Sequence, residues 1–373
     1  MTKKSKGYKI SPLNVIKGGE MAYKKWNQNI SFVDIALSSS IEKNRSLKTM
    51  ERINQVIDWR KVEERLLDYY QVGRQEEGAD AYPPLMLLKA MLLQKWFHIP
   101  SDPELENQIN DRLSFKKFLG LPFDHISPDH STFSRFRSRV TSEAMSWINN
   151  EVLQQFSQKG LTINEGVAID ARLIESASHP LSNDELKEER EKRATPEGQV
   201  DKNGNPLKFI RDLESDWTVK NEKPHYGLKE HTSVDAENGF VLATELTPAS
   251  HNDSPYLPLC VAASCHTDQP IGIVYADKGY FGEPNRSFLN LNQIKDGIMR
   301  KDTTTAKLTE YEIERNKKIS KRRYIVEQYF GLSHLHQGAH RARFTTLIKN
   351  AIDAKIRQMA FNLFRGAKII LAT

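Results

Sequence analysis

The chain has 373 residues, enough for one large domain or for two to three ordinary ones with their own cores. Its 54 Lys and Arg against 48 Asp and Glu give a net charge of +6, which indicates an anionic partner. Two cysteines exclude a disulfide framework, and no apolar run approaches the length of a bilayer span. We therefore expect a cytoplasmic protein with no membrane partner.

The first 160 residues are predicted to be helical after a polar start. Residues 1–45 are lysine-rich and lack periodicity, which predicts a flexible basic arm. Residues 46–160 place apolar residues at helical spacing in a series of short helices. Within 127–140, Arg135 and Arg139 share the face opposite a phenylalanine stripe. Such a region is compatible with helix-turn-helix DNA binding, and a solvated arginine face is the alternative.

From residue 161 to 373 the pattern favours strands. The segments are strands at 161–170, 231–235, 239–246, 271–277 and 297–299, and helices at 257–263 and 344–372. Strand, hairpin, helix, strand, strand and helix is the order of a ribonuclease-H-like α/β fold, with a mixed sheet and flanking helices. The charge-dense stretch at about 179–215 is interpreted as a partly helical surface insertion.

A helix predicted over 321–334 is central to the chemistry. Val326 and Phe330 are spaced i, i+4 and predict an apolar line toward a core. Arg323 and Glu327 have the same spacing on a neighbouring face. An i, i+4 salt bridge on a helix surface is the plain explanation for that pair.

Two aspartates give Glu327 a second interpretation. Asp170 and Asp277 each follow an apolar, strand-like run, and Asp277 precedes a Lys-Gly pair that allows a close backbone approach. Mg²⁺ takes a few carboxylates together with water and phosphate oxygens. Two strand-end carboxylates and one helix carboxylate therefore predict a magnesium site for phosphoryl transfer, although Asp170 could instead cap a turn.

A series of short blocks follows in order from about residue 50 to 363: PDHSTF at 128–133, IDA at 169–171, YGLKEH at 226–231, TPA at 247–249, ADKGY at 276–280, Arg323 with VE at 326–327, and RARF at 341–344. Together these blocks resemble the DDE transposases of bacterial insertion sequences, most closely the insertion sequence five group. The resemblance implies that Asp170, Asp277 and Glu327 are the catalytic metal ligands, with Mg²⁺ as cofactor and Mn²⁺ as a substitute.

The resemblance also implies DNA as partner, both the element ends and the target, a homodimer or larger assembly when ends are paired, and association with the bacterial nucleoid. The cations expected at the DNA are Arg135, Arg139, Lys278, Arg323, His334, Arg341 and Arg343. For Arg341 and Arg343 an exposed basic turn is the alternative.

Two positions depart from the family pattern. His334 stands seven residues after Glu327, where the family has lysine, and Ser320 stands where a related signature has tyrosine. The expected function is that of a transposase that binds terminal inverted repeats and catalyses Mg²⁺-dependent cleavage and strand transfer. The rivals are a catalytically retired transposase that only binds DNA, and another ribonuclease-H-like nuclease.

Overall fold

The computed structural model describes residues 22–26, 35, 43–73, 80–163, 165–200, 204–205, 207, 211–265, 270–304 and 306–372. Most of the predicted basic arm, residues 1–45, lies outside these described residues. Within it, Tyr23 forms a β-bridge with Ala81, and Ala22 donates its N–H to the Gly73 carbonyl at 2.8 Å. Residues 22–26 are therefore held against the helical region rather than free of it.

Seven helices form the N-terminal part of the described chain. They are α1 Arg45–Val56, α2 Trp59–Tyr69, α3 Pro84–Trp96, α4 Asp102–Asp111, α5 Leu113–Leu119, α6 His130–Arg139 and α7 Ser142–Gln158. Side chains of Asn44, Asp58, Ser101, Asp129 and Thr141 accept N–H groups at the starts of five of them, because these residue types satisfy the free donors of a first turn. Helix α3 is buried along most of its length and is the centre of this part.

A six-stranded mixed sheet forms the rest of the core. The strands are β1 Gly166–Glu175, β2 Asp216–Lys220, β3 Lys223–Asp235, β4 Val241–Pro248, β5 Ile273–Ala276 and β6 Lys295–Ile298. Strand β3 runs antiparallel to β1 on one side and to β2 and β4 on the other, whereas β1, β5 and β6 are mutually parallel. Five further helices belong to this part of the described chain: α8 Asn183–Arg193, α9 Leu257–Ala263, α10 Glu283–Leu291, α11 Glu310–Gln337 and α12 Leu347–Ile370.

The two faces of the sheet are covered by different helices. Val167 and Ile169 belong to the large core that includes α7 and α12, while Ala168 packs with Val326 and Tyr329 of α11. Since successive strand residues point to opposite faces, Asp170 lies on the same face as Ala168, toward α11. This is the ribonuclease-H-like arrangement with flanking helices that the sequence predicts.

One sequence prediction about these elements needs correction. Strand β1 does not end at Asp170 but continues to Glu175, because its antiparallel pairing with β3 persists to Glu175 opposite Gly227. On α11 the predicted apolar line is present, since Val326 is buried and Phe330 packs partly buried against the same cluster, and Tyr329 is buried there as well.

The predicted charged insertion contains helix α8, which begins with a capping box between Ser182 and Glu185. Its Leu186 is buried with Leu181 and Tyr226. Residues 201–203, 206 and 208–210 of the insertion lie outside the described residues. A search of the described helices for one long and apolar enough to cross a membrane finds none.

Candidate active site

The pairing of β1 with β5 brings the two predicted aspartates to the same level. Gly166, Val167 and Ala168 pair in parallel with Ile273, Val274 and Tyr275. Extending this register by two residues aligns Asp170 with Asp277. Strand β5 ends at Ala276, so Asp277 stands at its carboxyl end, the edge where open α/β sheets place their sites.

Glu327 reaches this edge from α11. The helix begins at a capping box between Thr309 and Glu312, and it ends at Gly338, whose left-handed φ of 63° suits glycine. Burial of Val326 and Tyr329 fixes which face of α11 meets the sheet. That orientation presents Glu327, next to Val326, beside Asp170.

Arg323 joins the helix carboxylate to the strand carboxylate. One terminal guanidinium nitrogen donates to Asp170 Oδ2 at 2.5 Å, and the other donates to Glu327 Oε1 at 2.6 Å. The Arg323 side chain is 15% exposed and that of Glu327 is 44% exposed, so the pairs lie at the solvent boundary. The plain i, i+4 salt bridge is therefore present, and it extends to Asp170 153 residues away.

The electrostatics link all three carboxylates. The pKa of Asp170 is raised to about 6, chiefly by burial; the charges of Asp277 and Glu327 contribute to the rise, while Arg323 acts in the opposite direction. Asp170 Oδ1 also accepts the Ala171 N–H at 2.8 Å. The charges of Asp277 and Glu327 therefore both act on the Asp170 carboxyl.

Asp277 shapes the turn after β5. Its Oδ1 accepts the Gly279 N–H at 2.8 Å, so it caps the short 3₁₀ turn Lys278–Tyr280 while its other oxygen remains available. Lys278 is exposed at this turn, beside the sheet edge where the carboxylates meet. Its ammonium is positioned to approach an anion arriving at that edge.

Arg172 holds the next part of α11 in place. Its guanidinium donates to the Phe330 carbonyl at 3.1 Å and to Ser333 Oγ at 2.7 Å, and it pairs with the buried Glu230 at 2.9 Å. Arg357 of α12 pairs with the same Glu230 at 2.7 Å. Burial would raise the pKa of Glu230, but these two guanidinium groups hold it below its ordinary value. The carboxylate thus ties β1, α11 and α12 together.

The other predicted DNA cations lie in different settings. Arg135 and Arg139 are exposed on α6, with Arg135 3.8 Å from Asp129. His334 is exposed on α11, its ring centre 4.9 Å from that of His340. Arg341 donates to the carbonyl oxygens of Ser176 and Ala177 just beyond β1.

Arg343 differs from these cations because its side chain is only 19% exposed. It pairs with Asp102 at 2.9 Å, and Arg137, which is almost fully buried, pairs with the other oxygen of the same carboxylate. Burial lowers the pKa of Arg343. This position favours a structural role for Arg343, and its contact with DNA stays a prediction.

The residues fit a divalent metal by their chemistry. Among the residues that the structure describes, no group of three or more His, Cys, Asp or Glu side chains is gathered tightly enough to hold a metal ion. The cation observed between Asp170 and Glu327 is instead the guanidinium of Arg323. Carboxylate oxygens are ligands that Mg²⁺ and Mn²⁺ accept. The guanidinium of Arg323 balances the negative charge of Asp170 and Glu327 in this structure.

A polar cluster beside the site was only partly recognised from the sequence. Lys229 pairs with Asp253 at 2.8 Å, and the Asp253 side chain forms no cap hydrogen bond at the turn that follows it. His231 is buried, stacks on Tyr256 with ring centres 4.3 Å apart, and its pKa is lowered to about 4 by burial. The Tyr280 hydroxyl is buried, and its surroundings include the charges of Asp170 and Asp277. Lys229 and His231 lie on β3, whereas the other members come from the turns that follow β4 and β5, so no local sequence pattern marks the cluster.

A ribonuclease-H-like sheet with carboxylates from β1, the end of β5 and a following long helix defines the class of DDE nucleotidyl transferases. Comparison with protein families identifies the chain within it: the model described as Transposase DDE domain matches residues 163–363, and the model described as Transposase domain (DUF772) matches residues 36–139. The chain belongs to the DDE transposase family, and it is a DNA transposase.

Among curated proteins, the chain is similar to the transposase for insertion sequence element IS1106 of Neisseria meningitidis serogroup B. The two are 33% identical over 244 residues, which cover 64% of this chain and 79% of the relative. No solved structure matches the chain. The expected bacterial insertion-sequence DDE transposase is thereby confirmed, while membership of the insertion sequence five group stays a prediction. The family implies that the chain binds DNA and uses a divalent metal.

Proposed function

We propose that this transposase binds the terminal inverted repeats of its insertion sequence and catalyses Mg²⁺-dependent cleavage and strand transfer at Asp170, Asp277 and Glu327. The observation that carries the proposal is the pair of ion pairs by which Arg323 bridges Asp170 and Glu327, at a sheet edge where Asp277 is in register. Two carboxylates from separate parts of the chain meet at one cation, and the strand register aligns a third, Asp277, with one of them. Simple helix stabilisation would need only one of them.

The three carboxylates would hold the metal, which supplies positive charge to the phosphate and promotes ionisation of water. Mn²⁺ is expected to substitute for Mg²⁺. The chain itself orients the DNA: Lys278 lies beside Asp277, and His334 lies two turns beyond Glu327 on α11. Arg323 is already paired with both outer carboxylates, so it is positioned to contact the phosphate when it leaves them.

DNA-end recognition is assigned to the helical region, predicted to extend over residues 46–160 ahead of a catalytic domain at 161–373. The exposed Arg135 and Arg139 of α6 supply phosphate contacts whose strength falls with salt. Arg341, which follows α11 and lies beside the end of β1, extends the cationic surface. Two element ends require two catalytic centres, and a homodimer or larger assembly on DNA supplies them.

The test compares Asp277→Asn with Asp184→Asn, a control on the exposed helix α8. The DNA is the inverted repeat that borders the gene. Asp277→Asn should bind this DNA at least as well as the unaltered protein, because it removes a negative charge facing a polyanion, yet it should not cleave. Asp184→Asn should do both. Cleavage by Asp277→Asn would overturn the site.

Product analysis separates the rivals. A transposase releases a 3′-hydroxyl end and joins it to a second duplex when Mg²⁺ or Mn²⁺ is present. Binding without cleavage at any metal concentration would identify a retired transposase. Cleavage without joined products would identify a nuclease of the same fold.

A further inference from the structure

A cavity in the helical region has the chemistry of a nucleotide site. It encloses about 720 Å³ and is lined by α1, α2, α3, α5 and the segment 22–26, with no residue from the sheet or α11. This volume lies within the range of ordinary ligand pockets. The residues that matter are Lys89, Trp59, Phe118, Glu63, Lys25 and Trp26.

Lys89 is the most unusual of these residues. Its ammonium lies 4.6 Å from the ring centre of Trp59 and 5.0 Å from that of Phe118, which are themselves edge to face at 6.0 Å. Within the described part of the chain it has no hydrogen bond and no ion pair. Burial lowers the pKa of Lys89 to about 8, so it is still a cation at neutral pH. The nearby charge of Glu63 acts in the opposite direction but forms no direct ion pair with Lys89, so a bound anion would offset part of the cost of burying this ammonium.

The rim of the cavity is also cationic. Lys24 and Lys25 line it from the segment 22–26, and Lys117 lines it from α5. Lys25 is exposed, and Lys24 lies 4.0 Å over the ring of Tyr82. Phosphate groups are the anions that lysine clusters bind as point charges.

The walls add aromatic surface and one acceptor. Trp26 and Trp59 are partly buried, so each keeps exposed ring surface in the cavity. Glu63, on the same helix as Trp59, lines the cavity, and burial raises its pKa. Aromatic rings stack on bases of any sequence. A carboxyl oxygen accepts from the exocyclic amino group that cytosine carries and thymine lacks.

We infer that this cavity binds an unpaired, phosphorylated deoxynucleotide of the DNA, with its phosphate at Lys89 and the rim lysines, its base against the tryptophan rings and an amino group at Glu63. The inference rests on the proposed function, since bound element ends are the source of the nucleotide. It adds a single-strand contact to a region whose exposed arginines suit duplex phosphates.

The experiment uses the full chain labelled with 5-fluorotryptophan and followed by ¹⁹F NMR. The five tryptophans are assigned by single Trp→Phe variants. The probe is a 5′-phosphorylated hexamer of deoxycytidine. We expect saturable shifts at Trp26 and Trp59, and none at Trp217 in β2. Absence of shifts at both cavity tryptophans would overturn the inference.

Two lysine variants test the phosphate contact. Lys89→Met should weaken binding of the hexamer about tenfold, whereas Lys187→Met, on the exposed surface of α8, should leave it unchanged. The double variant Lys24→Ala/Lys25→Ala provides a second test that leaves the helical core intact. Unaltered affinity in both Lys89→Met and this double variant would refute the site. Equal shifts from inorganic phosphate alone at matched ionic strength would also refute it.

Base identity tests the role of Glu63. The deoxycytidine hexamer should bind about tenfold more tightly than the thymidine hexamer, and Glu63→Leu should remove that preference. If deoxycytidine monophosphate binds as tightly as the hexamer, the cavity serves a free nucleotide and the DNA source is overturned. The dependence of DNA cleavage on Asp277 is measured in a separate assay. Failure of the nucleotide cavity and failure of the proposed active site are therefore recognised independently.

Discussion

Replacing Lys95 with methionine tests the ion pair that joins the helical region to the last helix. The Lys95 ammonium of α3 lies 2.6 Å from both carboxyl oxygens of Asp353 on α12. The two side chains are 7% and 8% exposed, so water cannot replace a lost partner. Lys95→Met keeps most of the side-chain volume and removes only the charge.

The expected loss is about 3 kcal/mol in the free energy of unfolding, the lower end of the cost of breaking a buried pair. The reason for the lower end is that Asp353 keeps other cations. Burial alone would raise the pKa of Asp353, but Lys95, Arg343 and Arg357 together hold it below its ordinary value. Arg357 lies 3.9 Å away and remains after the substitution.

Urea unfolding followed by circular dichroism at pH 7 measures this loss. Lys48→Met, at an exposed position on α1, is the control and should change stability by less than about 0.5 kcal/mol. The double variant Lys95→Met/Asp353→Leu should be less destabilised than the sum of its two single variants, since it leaves no buried carboxylate without its lysine. An unchanged midpoint for Lys95→Met, or strict additivity, would refute the reasoning.

Three further outcomes are expected. His231 has a folded-state pKa of about 4 because it is buried, whereas its pKa in the unfolded chain is about 6.5. Its contribution to stability is therefore present above pH 6.5 and is lost as pH falls toward 4, by up to about 3 kcal/mol. Acid unfolding of His231→Gln should lack this pH-dependent loss of stability. Arg135→Ala/Arg139→Ala should flatten the salt dependence of DNA binding by about two units of the logarithmic slope, and an unchanged slope would place α6 away from the backbone. His334→Glu should weaken DNA binding, because it places a negative charge where a phosphate contact is expected; unchanged binding would remove His334 from the phosphate contacts.

The long helix of the site could be read from the sequence because its pattern is local. Helical spacing over 321–334 predicts α11, and burial of Val326 agrees with that pattern. The choice between Tyr329 and Phe330 as the second buried residue depends on the angle at which α11 crosses β1, which no local pattern encodes. Tyr329 is the one that meets Val234 and Val241 across the sheet.

The relation between Asp170 and Asp277 depends on strand register, which is a long-range property. The sequence marks both aspartates as the ends of apolar runs, and this pattern correctly places Asp277 after the last residue of β5. The same pattern gives the wrong strand end at Asp170, because pairing with the antiparallel strand β3 extends β1 five residues further, to Glu175. The short strand β2 was missed for a related reason: its exposed residues lack the alternation that a half-buried strand shows.

The arginines show a similar limit. Arg135, Arg137 and Arg139 alternate within one helix, and residue type alone does not separate them. Arg137 is buried because Asp102 lies at the start of α4, 35 residues earlier, and Arg343 pairs with the same carboxylate from beyond α11. Only packing of the helices decides which arginine becomes internal.

The contacts of Arg172 determine how the carboxylate cluster can open. The guanidinium of Arg172 holds the Phe330 carbonyl and Ser333, one and two turns beyond Glu327, against a buried Glu230. Helix α11 is therefore fixed to the sheet just past the cluster. Release of Asp170 and Glu327 from Arg323 then requires only rotation of the Arg323 side chain, because the backbone that carries Glu327 keeps its position. Opening would cost two exchangeable ion pairs, and it would leave the packing between helix and sheet unchanged.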